Sequence, residues 1–126
     1  MTKNNNRVFV SADGNRWHSK REYDRWMELQ LLARAGKIRN LDRQVRFELI
    51  PAQYETGPDG KRRCVERACT YTADFTYEMP DDAGNWTKIV EDVKGCCVPS
   101  SSEYARYVIK RKLMLWRHGV QIREVG

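Results

Sequence analysis

Hydrophobic positions recur with a helical period between residues 19 and 36. Glu22, Trp26, Leu29 and Ala33 fall within a sector of about 60° on a helical wheel, so a helix here turns one stripe inward with Glu22 at its head. Ser19 with Glu22 reads as a capping box, and Gly36 after Ala35 reads as a C-terminal stop. After Lys37-Ile38 the period changes. Val45, Phe47 and Leu49 alternate with Arg46 and Glu48, which predicts a half-exposed strand. Gly57-Pro58-Asp59-Gly60 predicts a turn. A second strand is expected from about residue 64 to residue 79, with Tyr71, Ala73, Phe75 and Tyr77 on one face. Thr70, Thr72, Asp74 and Thr76 take the other. Residues 80–85 turn the chain again. Residues 86–94 then make a third strand, with Ile89, Glu91 and Val93 on one side and Val90, Asp92 and Lys94 on the other.

A serine-rich stretch at 99–102 caps a second helix over about 103–117. Its expected apolar arc holds Tyr104, Val108, Ile109, Leu115 and Trp116, opposite a solvated face of Glu103, Arg106, Lys110 and Arg117. Arg111 and Lys112 fall inside the arc, from where they would reach across the sheet or its edge. Gly119 ends the helix, and Val120-Gln121-Ile122 is expected to open a short last strand. The pattern predicts an α/β (α+β) fold: a mixed central β-sheet flanked by helices, in the order helix, three strands, helix, strand. At 126 residues the chain reads as one domain, with residues 1–16 as a peripheral N-terminal segment.

Charge adds a partner class. The net charge of +6 divides into +5 over residues 1–43, −3 over 44–100 and +4 over 101–126. Basic ends around an acidic middle suit a cation-coordinating centre within a surface that binds a polyanion such as nucleic acid. No apolar run is long enough to span a bilayer, and residues 1–7 lack the apolar core of a signal peptide, so a cytoplasmic location is expected.

The second and third strands are expected to form an antiparallel hairpin. With its centre near residue 83, Asp74 stands across from Asp92, and cross-strand Cβ atoms are about 5 Å apart. Lys94 lies two residues further along the same face. Two carboxylates this close repel unless a proton or cation sits between them. Hard oxygen ligands suit Mg²⁺ or Mn²⁺ over zinc. A neighbouring lysine can hold a water or stabilise charge on a phosphate, which fits metal-assisted phosphodiester hydrolysis. Asp-x-Lys alone is a weak signal, and a solvated cross-strand ion pair is its ordinary explanation.

Glu22 on the first helix, Asp74 in one strand and Asp92-Val93-Lys94 in the next resemble the PD-(D/E)XK nuclease superfamily, whose restriction-endonuclease-like core has the same element order. Ser19-Lys20-Arg21-Glu22-Tyr23, Gln44-Val45-Arg46-Phe47-Glu48-Leu49, Tyr71-Thr72-Ala73-Asp74-Phe75 and Val90-Glu91-Asp92-Val93-Lys94-Gly95 resemble a small phage and prophage family labelled as a domain of unknown function. The resemblance implies that Asp74 and Asp92 ligate Mg²⁺ or Mn²⁺, with the Val93 carbonyl as a further ligand. Lys94 would position or activate the attacking water, and Glu22 would complete the metal shell or hold a metal-bound water. Lys20, Arg21, Gln44, Arg111 and Lys112 are the candidate DNA contacts. The family pattern has proline before the first acidic residue where this chain has Ala73. Glu91 competes with Asp92, but alternation points Glu91 away from Lys94. By analogy with other small stand-alone nucleases of the superfamily, the resemblance further implies a homodimeric endonuclease acting on branched DNA, a Holliday junction or fork, in phage replication or recombination. The alternative is a basic DNA-binding or adaptor protein that keeps the fold without cleavage.

The remaining candidates have plainer explanations. Cys64, Cys69, Cys96 and Cys97 lack the spacing of a structural zinc site and read as reduced, partly buried thiols, although the hairpin register would pair Cys69 with Cys97. His18 and His118 form no motif. Trp26 and Trp116 read as core, and Trp17 and Trp86 as core-edge residues.

Overall fold

The computed structural model describes residues 8–17, 19–93 and 101–126. A short hairpin, β1 (Phe9–Val10) and β2 (Arg16–Trp17), precedes helix α1 (Lys20–Arg34). Strand β3 (Arg39–Ile50) leads into a second hairpin, β4 (Gln53–Thr56) and β5 (Arg62–Glu66). Strands β6 (Cys69–Pro80) and β7 (Trp86–Val93), helix α2 (Ser102–His118) and strand β8 (Arg123–Val125) follow. The central sheet has the order β3-β6-β7-β8; β3, β6 and β7 are antiparallel, and β8 runs parallel to β7. The fold is mixed α+β, with helices flanking a mixed sheet.

Local chemistry sets the element ends. Ser19 caps α1 by accepting from the Glu22 amide at 3.1 Å. Gly36, at φ +76°, closes the helix with bonds from its own amide to Ala33 and from the Lys37 amide to Leu32. Ser101 caps α2 through the Tyr104 amide, and Gly119 ends it. One turn recurs in all three hairpins: Ser11–Asn15, Gly57–Lys61 and Asp81–Asn85 each close with an i to i+4 amide bond and a left-handed glycine. That turn fixes register, so in the β6–β7 hairpin Phe75 faces Glu91, Tyr77 faces Ile89 and Met79 faces Thr87.

Two clusters of buried side chains pack the sheet from its two faces. Leu49, Tyr71, Ala73, Val90, Met114 and Ile122 form the α2 side. Trp17, Leu29, Ile38, Phe75 and Tyr77 form the α1 side. The expected face of Tyr71, Ala73, Phe75 and Tyr77 is buried throughout, but its first two members face α2 and its last two face α1. The switch falls between the pairs Val45↔Ala73 and Arg43↔Phe75. There Gln44 takes φ +54°, a left-handed conformation uncommon outside glycine.

Four expectations are corrected. The strand expected over 64–79 is divided, because residues 51–68 form a separate exposed hairpin and a connection back to the sheet. The last strand starts at Arg123, since Val120 and Ile122 are used as core contacts before it. Trp17 is wholly buried, so β2 belongs to the core rather than its edge. Helix α2 is rotated relative to its expected arc: Met114 is buried, whereas Ile109, Leu115 and Trp116 are exposed, Trp116 by 81%. Tyr107 turns inward instead, while Arg111 lies within the arc as expected, and the polar tips of both reach Glu124 of β8. No helix among the described residues is long and apolar enough to cross a membrane.

Candidate functional site

The two acidic residues of the hairpin meet where β7 diverges from β6. Continuing the Phe75↔Glu91 register by one residue puts Asp74 beside Asp92, and their carboxyl groups are in side-chain hydrogen-bond contact. The Val93 amide donates to Asp74 Oδ2 at 2.8 Å, and the Tyr71 hydroxyl donates to Asp92 Oδ2 at 3.0 Å. Each carboxylate is thus anchored through one oxygen by a group buried in the sheet. Burial pushes the Asp74 carboxyl up to about 8, with Asp92 and Glu22 adding to the rise and the Val93 amide opposing it. A pair that needs a proton to coexist offers a place for a cation.

Glu22 reaches this pair from α1. It is 3% exposed, and its Oε2 accepts from Gln44 Nε2 at 2.9 Å. The pairs Arg43↔Phe75 and Val45↔Ala73 put Gln44 across from Asp74, so the left-handed residue of β3 holds Glu22 from a position opposite the acidic pair. That explains a feature which would otherwise be strain without purpose.

Glu91, the neighbour of Asp92, is committed elsewhere. It is fully buried on the α1 side, gripped by Arg25 through Nε at 2.7 Å and Nη2 at 2.9 Å, and accepts from the Tyr77 hydroxyl at 2.7 Å. Its hydrogen bonds hold the Arg25 guanidinium well above its ordinary range. Burial, with Glu91 adding, pushes the Tyr77 hydroxyl up to about 12. A buried charge satisfied on both oxygens is a structural tie between α1 and the sheet.

Glu124, Tyr71 and Tyr107 were not singled out from sequence. Asp92 pairs with Glu124 across the parallel β7–β8 ladder, so carboxylates from three adjacent strands stand in a row: Asp74, Asp92 and Glu124. Tyr107 donates to Glu124 Oε2 at 2.7 Å and Arg111 Nη1 lies 3.1 Å from the same oxygen. Burial, followed by the bond to Glu124 and the charge of Asp92, raises the Tyr107 hydroxyl, and burial beside Asp92 raises that of Tyr71. A groove of about 340 Å³ lined by Arg111, Lys112, Leu115, Gln121 and Ile122 opens beside Glu124. The only sequence signal for Glu124 is a charged residue after the last apolar pair, which is no signal without the parallel pairing.

The other candidates are dispersed. Lys20 is exposed and pairs with Asp24 at 3.1 Å. Arg21 and Lys112 are exposed. Arg111 is engaged with Glu124, and Gln44 with Glu22. Lys94, His18, Cys96 and Cys97 lie outside the described residues; Cys64 is exposed and Cys69 half-buried. His118 bonds the Glu48 carbonyl at 2.7 Å and packs on Phe47, which is a helix-end role. Among the described residues no three of His, Cys, Asp or Glu stand close enough to enclose an ion by themselves. Two carboxylates with open positions remain, and Mg²⁺ commonly binds through one or two carboxylates with water and substrate phosphate as the other ligands.

Fold and site together define an α+β protein with a carboxylate pair at the fork of its central sheet, flanked by acidic residues from α1 and β8. The chain belongs to the family described as "Protein of unknown function (DUF1064)", whose profile matches residues 1–123. Comparison with curated proteins gives no match, and comparison with solved structures gives none either.

Proposed function

We propose that this protein is a metal-dependent DNA endonuclease of the PD-(D/E)XK type, acting in the cytoplasm of a bacterial host. The observation that carries the reading is the Asp74–Asp92 contact at the strand fork, with Glu22 close enough to raise Asp74. A Mg²⁺ or Mn²⁺ ion held by Asp74 and Asp92, with the Val93 carbonyl as a further ligand and Glu22 holding a metal-bound water, would supply Lewis-acid polarisation of a phosphate and a bound water of lowered pKa. The chain's own residues do the rest. Tyr71 and the Val93 amide fix the two carboxylates, Gln44 fixes Glu22, and Lys94, which follows Val93 in the sequence, is proposed to position the attacking water. The basic N- and C-terminal regions attract the DNA backbone.

Branched DNA and a homodimer are the favoured substrate and state, by analogy with other small nucleases of that superfamily. The experiment is incubation with labelled junction, forked and linear DNA, in Mg²⁺ or in EDTA. Cutting that needs the metal supports the proposal. Binding without cutting in any metal favours an adaptor that retains the fold.

A further inference from the structure

We propose that the β4–β5 ribbon is a DNA-binding arm that contacts duplex DNA beside the cleavage site. Every residue of β4 and β5 is exposed, and the two strands pack chiefly on each other. An isolated two-stranded hairpin is at best marginally stable and contributes no core. Its retention in an ordered form calls for a partner outside the fold. Tyr54 and Val65 stand 49% and 54% exposed on it.

The chemistry of the ribbon selects the partner. Tyr54↔Cys64 and Thr56↔Arg62 share one face. Arg62 lies over the Tyr54 ring with 3.8 Å to its centroid, a flat cationic and aromatic pair suited to phosphate and base contacts. On the opposite face Glu55 stands across from Arg63, which Asp59 approaches at 3.8 Å. Lys61, Arg62 and Arg67 have no carboxylate partner among the described residues. Over residues 53–67 Lys61, Arg62, Arg63 and Arg67 outnumber Glu55, Asp59 and Glu66 by one, so the ribbon carries a net charge of +1.

Position agrees with the assignment. The ribbon leaves the sheet where β3 ends and β6 begins, at Ile50 and Cys69. Cys69 is five residues from Asp74, or about 17 Å along the strand, on the end of β6 that β7 does not cover. Duplex DNA lying over the strand fork would pass within reach of the ribbon. The B-DNA major groove, about 12 Å wide, admits a two-stranded ribbon.

The inference rests on the nuclease reading for its choice of DNA, and the experiment separates the two. Fluorescence anisotropy with a labelled linear duplex in EDTA, across a salt series, compares wild type with K61Q/R62Q/R67Q, R62Q alone and R63Q. The triple variant is expected to bind about tenfold or more weakly and to lose about 2–3 from the slope of log affinity against log salt, at about 0.9 per phosphate contact. R62Q is expected to lose about one, and R63Q, already paired, less. Thermal melts of these variants should match wild type, because the altered side chains are exposed.

An unchanged affinity and slope in folded K61Q/R62Q/R67Q and R62Q overturns the arm, as does tighter binding of duplex RNA than of DNA. Wild type that binds through the ribbon without cutting sustains the arm and defeats the nuclease. Wild type that cuts, with ribbon variants binding equally well, does the reverse.

Discussion

The Val93 amide donates a 2.8 Å hydrogen bond to Asp74 Oδ2, fastening a residue of β6 to the backbone of β7 where the two strands part. The bond holds Asp74 beside Asp92 at the expense of burying like charges together, and Asp74 answers by keeping its proton up to about pH 8.

A consequence is measurable without any substrate. Unfolded, Asp74 titrates near 3.8, so between about pH 4 and pH 8 the folded protein holds a proton that the unfolded chain has released. Folding stability from this group is highest below pH 4, falls as pH rises to about 8, and is flat beyond. Asp74→Asn removes the penalty and is expected to stabilise the metal-free protein at pH 8 by a few kcal/mol, with little gain at pH 4. In wild type, Mg²⁺ should restore stability at pH 8; in the variant it should not. Denaturant melts at both pH values, with and without Mg²⁺, check this.

Glu91 and Asp92 should separate cleanly on substitution. Arg25→Met leaves Glu91 charged, buried and short of its partner, and is expected to destabilise by about 3–5 kcal/mol. Asp92→Asn removes a charge from a repulsive pair and should leave stability within about 1 kcal/mol of wild type. Urea midpoints at pH 7 distinguish the two. Equal losses would mean that Asp92 is as structural as Glu91.

The left-handed conformation of Gln44 makes a third prediction. Gln44→Val puts a β-branched residue at φ +54° and removes the amide that faces Glu22. A loss of about 2–3 kcal/mol is expected from strain and the lost bond. Gln44→Asn, which tolerates the left-handed region, should lose about 1 kcal/mol or less. Thermal melts of the pair give the ranking.

The sequence carries the acidic pair for a local reason. The turn at 81–85 and the alternation of residues 71–77 and 89–93 set the hairpin centre at 83, so Asp74 opposite Asp92 follows from neighbours alone. Glu22 was readable from helix period for the same reason. What was hidden depends on distant pairing. Glu124 becomes a neighbour of Asp92 only through the parallel β7–β8 ladder. The phase of α2 misleads because Tyr107 takes an inward position that hydropathy assigns to Ile109 and Trp116. The face switch at Gln44 breaks a two-residue period that alternation takes as continuous. The β4–β5 ribbon buries nothing, so it leaves no apolar pattern of its own.

The central claim is that Asp74 and Asp92 act together in cutting DNA. Single-turnover cleavage of labelled junction DNA, measured against Mg²⁺ concentration for wild type, Asp74→Asn, Asp92→Asn and Lys94→Ala, tests it directly. Loss of metal-assisted stabilisation worth several kcal/mol, at about 1.4 kcal/mol per tenfold, predicts that each variant slows by at least about a hundredfold while still binding DNA. Metal-dependent cutting that Asp92→Asn or Lys94→Ala leaves undiminished would contradict the account.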